Sequence, residues 1–113
     1  MSFLVEEFDK YTVITSNVEK LDASNASLLK DELSNLNKKG VNTLIINLSS
    51  TKYCDSSGLS AILVANRICK DTNGKFVLSG LQPNVLKLIS ISQLDKVLSI
   101  TSTVSEAVEV LQS

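Results

Sequence analysis

The sequence predicts an α/β fold built on a mixed sheet of about five strands with about four helices, and three observations predict it. Two imperfectly alternating runs, residues 3–8 and 11–18, flank Asp9-Lys10 as the arms of a hairpin would. From residue 21 onward, stretches with helical apolar spacing alternate with short apolar runs, the pattern of strand–helix–strand units. Thr43-Leu44-Ile45-Ile46-Asn47-Leu48 is nearly continuous in apolar side chains, as a strand covered on both faces must be. The hairpin makes the sheet mixed. The later strands are parallel and joined by right-handed crossovers.

Each element has its own local reason. In the hairpin, Phe3, Val5 and Phe8 and then Tyr11, Val13 and Ile14 carry the alternation. Leu21-Asp22-Ala23-Ser24-Asn25 starts the first helix, with Asp22 or Ser24 as the expected N-cap. Ala26, Leu29, Leu33 and Leu36 follow on one face, and Gly40 after Lys38-Lys39 supplies a left-handed C-terminal residue. After the central strand at 43–48, Ser49 to Tyr53 reads as a loop, and a second helix runs from about Ser57 to Lys70. Asp71-Thr72-Asn73-Gly74 is a turn and Lys75 to Gly80 a strand. Pro83 opens a short helix to about Ser90, with Val85, Leu86 and Ile89 inward. Lys96 to Ile100 is the expected last strand. Thr103 and Glu106 have capping-box spacing ahead of a final helix carrying Val104, Ala107, Val108 and Leu111.

Composition narrows the function. The chain has 113 residues, 43% apolar and 20% charged, enough for one domain (1–113) to bury a core without metal or disulfide staples. The net charge is −1, and the eleven basic residues are scattered, which argues against nucleic acid. There is no histidine, so the usual general base, the commonest metal ligand and every Ser-His-Asp or Cys-His arrangement are missing. Cys54 and Cys69 lack CxxC spacing and further zinc ligands, and read as reduced structural thiols, with a disulfide between them the open alternative. Met1 to Glu7 has no basic n-region, and no apolar run is long enough to span a bilayer. The expectation is a cytoplasmic protein that is not an enzyme, with no membrane, metal or cofactor of its own. No GxGxxG or GxxxxGK[ST] motif declares a nucleotide loop.

The stretch that remains is Asp55-Ser56-Ser57-Gly58, between an apolar strand and an apolar helix. Its side-chain oxygens suit the free N–H groups at a helix start, and the partial positive charge there also suits an anion. A serine hydroxyl at such a place is either a cap or a place to put a phosphate. Along the helix, Gly58, Ala61, Ile62, Ala65 and Cys69 form a mostly small stripe that can lie close against a sheet. Ser60, Leu63, Val64, Arg67 and Lys70 fall on the other side. Leu63 and Val64 there either border a wide core contact or belong to a partner-binding face.

The run Asp55-Ser56-Ser57-Gly58-Leu59, followed by a helix with Ile62-Leu63 and Arg67, resembles the signature of the STAS domain, and more narrowly that of the stand-alone bacterial anti-sigma factor antagonists. Leu21-Asp22 is similar to the family's Gly-x-Leu-Asp element, although Glu19-Lys20 stand where the family usually has a glycine and a charged residue. Leu44 to Leu48 matches its central strand, and Leu81-Gln82-Pro83-Asn84-Val85 its segment before the third helix. The resemblance spans nearly the whole chain and implies a STAS-like fold.

What the resemblance implies about function is partner switching. Ser56, directly after the motif aspartate, is in the position of the phosphorylated serine, with Ser57 beside it as the expected cap. Asp22 and Asp55 belong to the recognition surface with Ser57 and Gly58, and Ser60, Leu63, Val64 and Arg67 extend it. The implied partners are an anti-sigma factor that is a serine kinase of histidine-kinase-like ATPase fold, which brings the ATP and magnesium, and a serine phosphatase. The resemblance also leaves open a STAS module that is never phosphorylated and serves as a scaffold or transport-complex subunit.

Overall fold

The computed structural model describes residues 2–112. β1 (Phe3–Glu7) and β2 (Thr12–Ser16) pair antiparallel with Phe3 opposite Ser16 and Glu7 opposite Thr12. The connection closes through the Phe8 N–H to the Tyr11 carbonyl, 2.9 Å, and the two rings stack with centroids 5.0 Å apart. β2 pairs parallel with β4 (Thr43–Asn47), β4 with β6 (Lys75–Ser79), and β6 with β7 (Ser99–Thr101). The spatial order is β1-β2-β4-β6-β7, a five-stranded mixed sheet as predicted.

Alternation along the central strands assigns side chains to two faces. Ile14, Leu44, Ile46, Phe76 and Leu78 join the inner faces of α1 (Ala26–Lys38), α2 (Ser56–Asp71) and α3 (Pro83–Ile91) in the main core. Val13, Ile45 and Val77 point the other way, onto Ala107, Val104, Val108 and Leu111 of α4 (Val104–Gln112). Leu44, Ile45 and Ile46 are at most 1% exposed because helices cover both faces there. That is why β4 reads as an uninterrupted apolar run.

The helices end as the residues dictate. Beyond α1, Gly40 takes φ +84°, and the N–H groups of Val41 and Gly40 return to the carbonyls of Leu36 and Asn37, both at 3.0 Å. This is the paired Schellman arrangement that a glycine permits. Before α4, Thr103 Oγ1 accepts the Glu106 N–H at 3.1 Å, and Glu106 Oε1 accepts from the Ser102 N–H at 3.0 Å.

The structure corrects the predicted ends of three elements. Neither Asp22 nor Ser24 caps α1. Asn25 holds the N-cap position, without a side-chain cap bond, because the Asp22 carbonyl already closes a turn onto the N–H groups of Asn25 and Ala26. Ser57 does not cap α2, since it lies inside the helix and Asp55 is the N-cap. The last strand starts later than expected. Gln93, at φ +60°, leads into a 3-10 turn at Leu94–Lys96, and the N–H groups of Val97 and Leu98 both bond to the Leu94 carbonyl instead of a ladder.

Candidate functional site

The segment before α2, expected to be loop through Tyr53, and the segment before α1 together form a second, minimal sheet that the sequence does not announce. β3 (Lys20–Leu21) and β5 (Tyr53–Cys54) pair parallel, Lys20 with Tyr53 and Leu21 with Cys54. The Glu19 carbonyl accepts from the N–H groups of both Lys52 and Tyr53, and the Leu21 carbonyl accepts from the Asp55 N–H at 3.2 Å. Glu19-Lys20 therefore serve through their backbone. A buried hydroxyl relay braces the same junction: Ser16 Oγ and Thr51 Oγ1 lie 2.7 Å apart, and Thr51 Oγ1 donates to the Val18 carbonyl at 2.8 Å.

This pairing brings residues 22 and 55, far apart in sequence, to adjacent strand ends, and Gly58 sets how closely α2 approaches them. A Cβ on Gly58 would sit 2.5 Å from the Leu21 carbonyl oxygen and 2.7 Å from the Cys54 sulfur. No real side-chain carbon fits there, so the glycine is required by contact. The buried stripe of α2 is Gly58, Ala61, Ile62, Ala65 and Cys69, and α2 packs its small side chains against the core.

Asp55 caps the helix. Its backbone is extended, and Oδ1 accepts from the N–H groups of Ser57 at 2.8 Å and Gly58 at 3.1 Å. Ser56 is the first helical residue, exposed, and its hydroxyl makes no hydrogen bond among the described residues. With the cap supplied by Asp55, the Ser56 hydroxyl is left facing solvent at a helix N-terminus.

Asp22 lies on the neighbouring loop. Its Oδ1 accepts from the Ser24 hydroxyl at 2.6 Å and the Ser24 N–H at 2.9 Å. These two bonds, hydroxyl first, hold the Asp22 carboxyl below its ordinary range, with Lys20 adding a smaller attraction. Asn25 ties the loop at both ends, accepting from the Asp22 N–H at 3.0 Å and donating to the Lys20 carbonyl at 2.8 Å. Between the loop and β5 lies an open cleft of ≈ 570 Å³ lined by Glu19, Lys20, Leu21, Asp22, Tyr53, Cys54 and Asp55. Three carboxylates make its rim acidic. Tyr53 is exposed, and the Lys20 ammonium stands 6.0 Å from its ring centroid.

Lys20 and Tyr53 are surface features of the cleft that the sequence reading did not single out. No local pattern marked them, since they meet only through the two-residue sheet. Cys54 is half-buried in the cleft wall, and burial, with the Asp55 charge beside it, pushes its thiol up to about 11. Cys69, on the buried face of α2, is raised by burial to about 11 as well, and both cysteines are free. Protonated thiols of this kind are poor nucleophiles and poor ligands at neutral pH.

The remaining predicted residues lie along α2. Ser60, Leu63 and Val64 are half-buried and Arg67 is exposed, with Val64 packed against the main core. Val64 thus borders the core. Arg67 lies about three turns from Ser56, and the cleft does not include Ser60, Leu63, Val64 or Arg67. Among the described residues no group of three or more His, Cys, Asp or Glu side chains could hold a metal ion, and no helix is long and apolar enough to cross a membrane.

A helix start that presents a free serine beside an aspartate loop, on this sheet order, defines a class, and comparison with known proteins bears on it. The STAS domain family model matches residues 3–107, and the chain belongs to that family. A Thermotoga neapolitana protein, named a candidate anti-sigma factor antagonist, is 33% identical over 104 residues, covering 88% of this chain and 89% of that one. The crystal structure of a candidate anti-sigma factor antagonist from Thermotoga maritima superposes with a TM-score of 0.92 at 27% identity, covering 98% and 95% of the two chains. The Bacillus cell fate determinant SpoIIAA, solved in its phosphorylated form, superposes with a TM-score of 0.74 at 25% identity over 95% of this chain and 96% of that one. The STAS-like mixed α/β fold expected from the sequence is the fold observed.

Proposed function

We propose that this chain is an anti-sigma factor antagonist that works by partner switching, with Ser56 as the switch. The observation that carries the reading is the Ser56 hydroxyl, exposed and unbonded on the first residue of a helix that Asp55 already caps. The names of its relatives support the class, and the phosphorylated state of SpoIIAA supports the chemistry. In the unmodified state the chain binds an anti-sigma factor that is also a serine kinase of histidine-kinase-like ATPase fold, and so frees that factor's target. The kinase then transfers the γ-phosphoryl group of ATP to Ser56 Oγ. The hydroxyl proton passes to the kinase's base and ADP leaves. A serine phosphatase hydrolyses the phosphoester and restores the hydroxyl. The work is cytoplasmic, and the antagonist itself contributes no cofactor, metal or catalytic group.

The residues support that division of labour. A protein substrate of a kinase need only present its hydroxyl in line with the γ-phosphate, because the partner supplies the magnesium and base. Phosphate on Ser56 adds about −1.5 to −2 charges. The exposed helix start accommodates it, so the fold is kept. Asp55 Oδ1 already occupies the Ser57 and Gly58 N–H groups, however, and Asp22 stands on the neighbouring loop. An interface formed around a neutral hydroxyl and these two carboxylates meets new charge and bulk. A few kcal/mol of repulsion and desolvation lower affinity about a hundredfold or more. We assign Asp22, Asp55, Ser57 and Gly58 to the contact, extended along α2 by Ser60, Leu63, Val64 and Arg67.

The test is intact mass before and after incubation with magnesium-ATP and the serine kinase encoded nearest to this gene, for wild type and Ser56→Ala. One phosphate on wild type and none on the variant is the expected result. Phosphate on both moves the site to another hydroxyl, Ser57 first. No phosphate on either, from a kinase that modifies another antagonist, favours a STAS scaffold that is never phosphorylated. Leu63→Asp and Arg67→Glu test the extension: kinase binding unchanged in both folded variants removes that face from the interface.

A further inference from the structure

The sheet has two edges, and they differ in how they are protected. β1 carries the exposed like charges of Glu6 and Glu7, a usual guard against edge-to-edge pairing. β7, Ser99-Ile100-Thr101, has no charge, proline or bulge. The Gly80 N–H bonds to the Thr101 carbonyl, so Ser99 and Thr101 face β6 and the N–H and C=O of Ile100 face outward. Neither outward group has an intramolecular partner among the described residues.

The surroundings of β7 are apolar at its flanks and opposite in charge at its two ends. Leu86 of α3, Val97 before the strand and Val110 of α4 are 42%, 52% and 41% exposed around it. A groove of ≈ 690 Å³ at the C-terminal end of the strand is lined by Ile100, Leu86 and Val110 together with Glu106 and Glu109. A hollow at the N-terminal end, which shares Val110 with the groove, is lined by Val97 and Ser99 together with Lys70 and Lys75. A strand whose acidic end and basic end are reversed is its own complement when a second copy runs antiparallel to it.

We propose that the β7 edge is the surface on which two copies of this chain associate, through antiparallel pairing of β7 with β7 about a two-fold axis at Ile100. The axis places Ile100 opposite its own copy, so the two residues exchange both outward hydrogen bonds and the two sheets become continuous. Glu106 and Glu109 of each copy meet Lys70 of the other. Leu86, Val97 and Val110 come together around the pair. The interface is isologous and closed, so association stops at the dimer. It does not depend on Ser56 or on the partner-switching reading.

Sedimentation velocity from micromolar to millimolar protein tests it. Wild type is expected to show a reversible monomer–dimer equilibrium. Ile100→Pro removes the outward N–H without touching a β6 bond, a position at which edge strands tolerate proline, and is expected to be monomeric with a wild-type circular dichroism spectrum. Glu109→Lys and Lys70→Glu each raise the dissociation constant about fivefold, because symmetry counts each exposed pair twice. The two substitutions in one chain restore it. This charge swap decides the matter even where Ile100→Pro fails to fold. A wild type that stays monomeric at millimolar concentration overturns the proposal, as does a dimer indifferent to the charge changes and their combination.

Discussion

The five-stranded sheet and the two-stranded β3–β5 sheet hold together by different means. The large sheet is fixed by burial. Its central side chains lie between α1, α2 and α3 on one face and α4 on the other, and Ile14, Ile45, Ile46 and Leu78 are fully buried. The small sheet is fixed by contact and backbone pairing. It has two residues per strand, a shared Glu19 carbonyl, and a helix that reaches it only because residue 58 lacks a side chain. The first makes the protein stable. The second sets the positions of Asp22, Asp55 and the start of α2, where the proposed switch lies. Leu21, fully buried in the main core, ties the two together, but most core side chains take no part in the small sheet, so substitutions can weight one property against the other.

The largest expected effect is on the large sheet. Ile46→Ala empties the middle of β4, fully buried from both sides, and is expected to cost about 2–5 kcal/mol by urea unfolding. Below its lowered midpoint, its Ser56 should still be modified at the wild-type rate. A slowed modification in a fully folded sample would break the separation. Gly58→Ala is the converse. The added methyl cannot remain 2.5 Å from the Leu21 carbonyl, so α2 must shift away from β3 and β5. The overpacking costs about 1–3 kcal/mol, part of it offset by the higher helix propensity of alanine. Amide shift changes should concentrate at residues 19–25 and 53–59, and kinase affinity should fall further than stability. A variant that binds normally would show that the close approach serves packing alone.

Sequence made the two sheets legible to different degrees, for the same physical reason. Burial leaves a periodic trace, so β1, β2, β4, β6, the four helices and the α2 stripe from Gly58 to Cys69 could all be read from apolar spacing. Backbone pairing leaves none. Lys20-Leu21 and Tyr53-Cys54 have no pattern of their own, so Leu21 reads as the start of a helix and Tyr53 as the end of a loop. The choice of cap also went astray. Asp55, Ser56 and Ser57 are all capping residue types, and only the extended backbone at Asp55 decides among them. The late start of β7 was hidden because Val97 and Leu98 have strand-like side chains but spend their N–H groups on Leu94.

A smaller effect follows from that cap. Asp55→Ala removes the acceptor for the Ser57 and Gly58 N–H groups and is expected to cost about 0.5–2 kcal/mol, with fraying confined to the first turn of α2. Asp55→Asn keeps an acceptor oxygen and should recover most of the stability while removing a negative charge beside Ser56. Hydrogen exchange at Ser57, Gly58 and Leu59 separates the two variants. If charge at the motif aspartate matters to the partner, Asp55→Asn binds altered in affinity although its helix is intact. If the residue serves only as a cap, binding follows the exchange rates.

The smallest effect lies in the Asp22 loop. Its carboxylate is stabilised chiefly by the Ser24 hydroxyl and N–H, so its folded pKa lies below the ordinary value of 3.8. The folded state thus favours the charged form. That contribution is fully present above the ordinary value and is lost as pH falls below it through the lowered pKa. The Ser24 amide resonance, which reports the bond to Asp22 Oδ1, should therefore stay constant at neutral pH and move only in that acid window. Ser24→Ala removes the hydroxyl bond and should bring the Asp22 titration up towards its ordinary range, leaving global unfolding nearly unchanged. A Ser24→Ala chain with the wild-type titration would mean that the turn's backbone, rather than its hydroxyl, sets the charge state of this loop. The distinction matters because Asp22 shares the cleft with Asp55, and on the partner-switching reading a carboxylate held charged there acts on the partner as a fixed negative group.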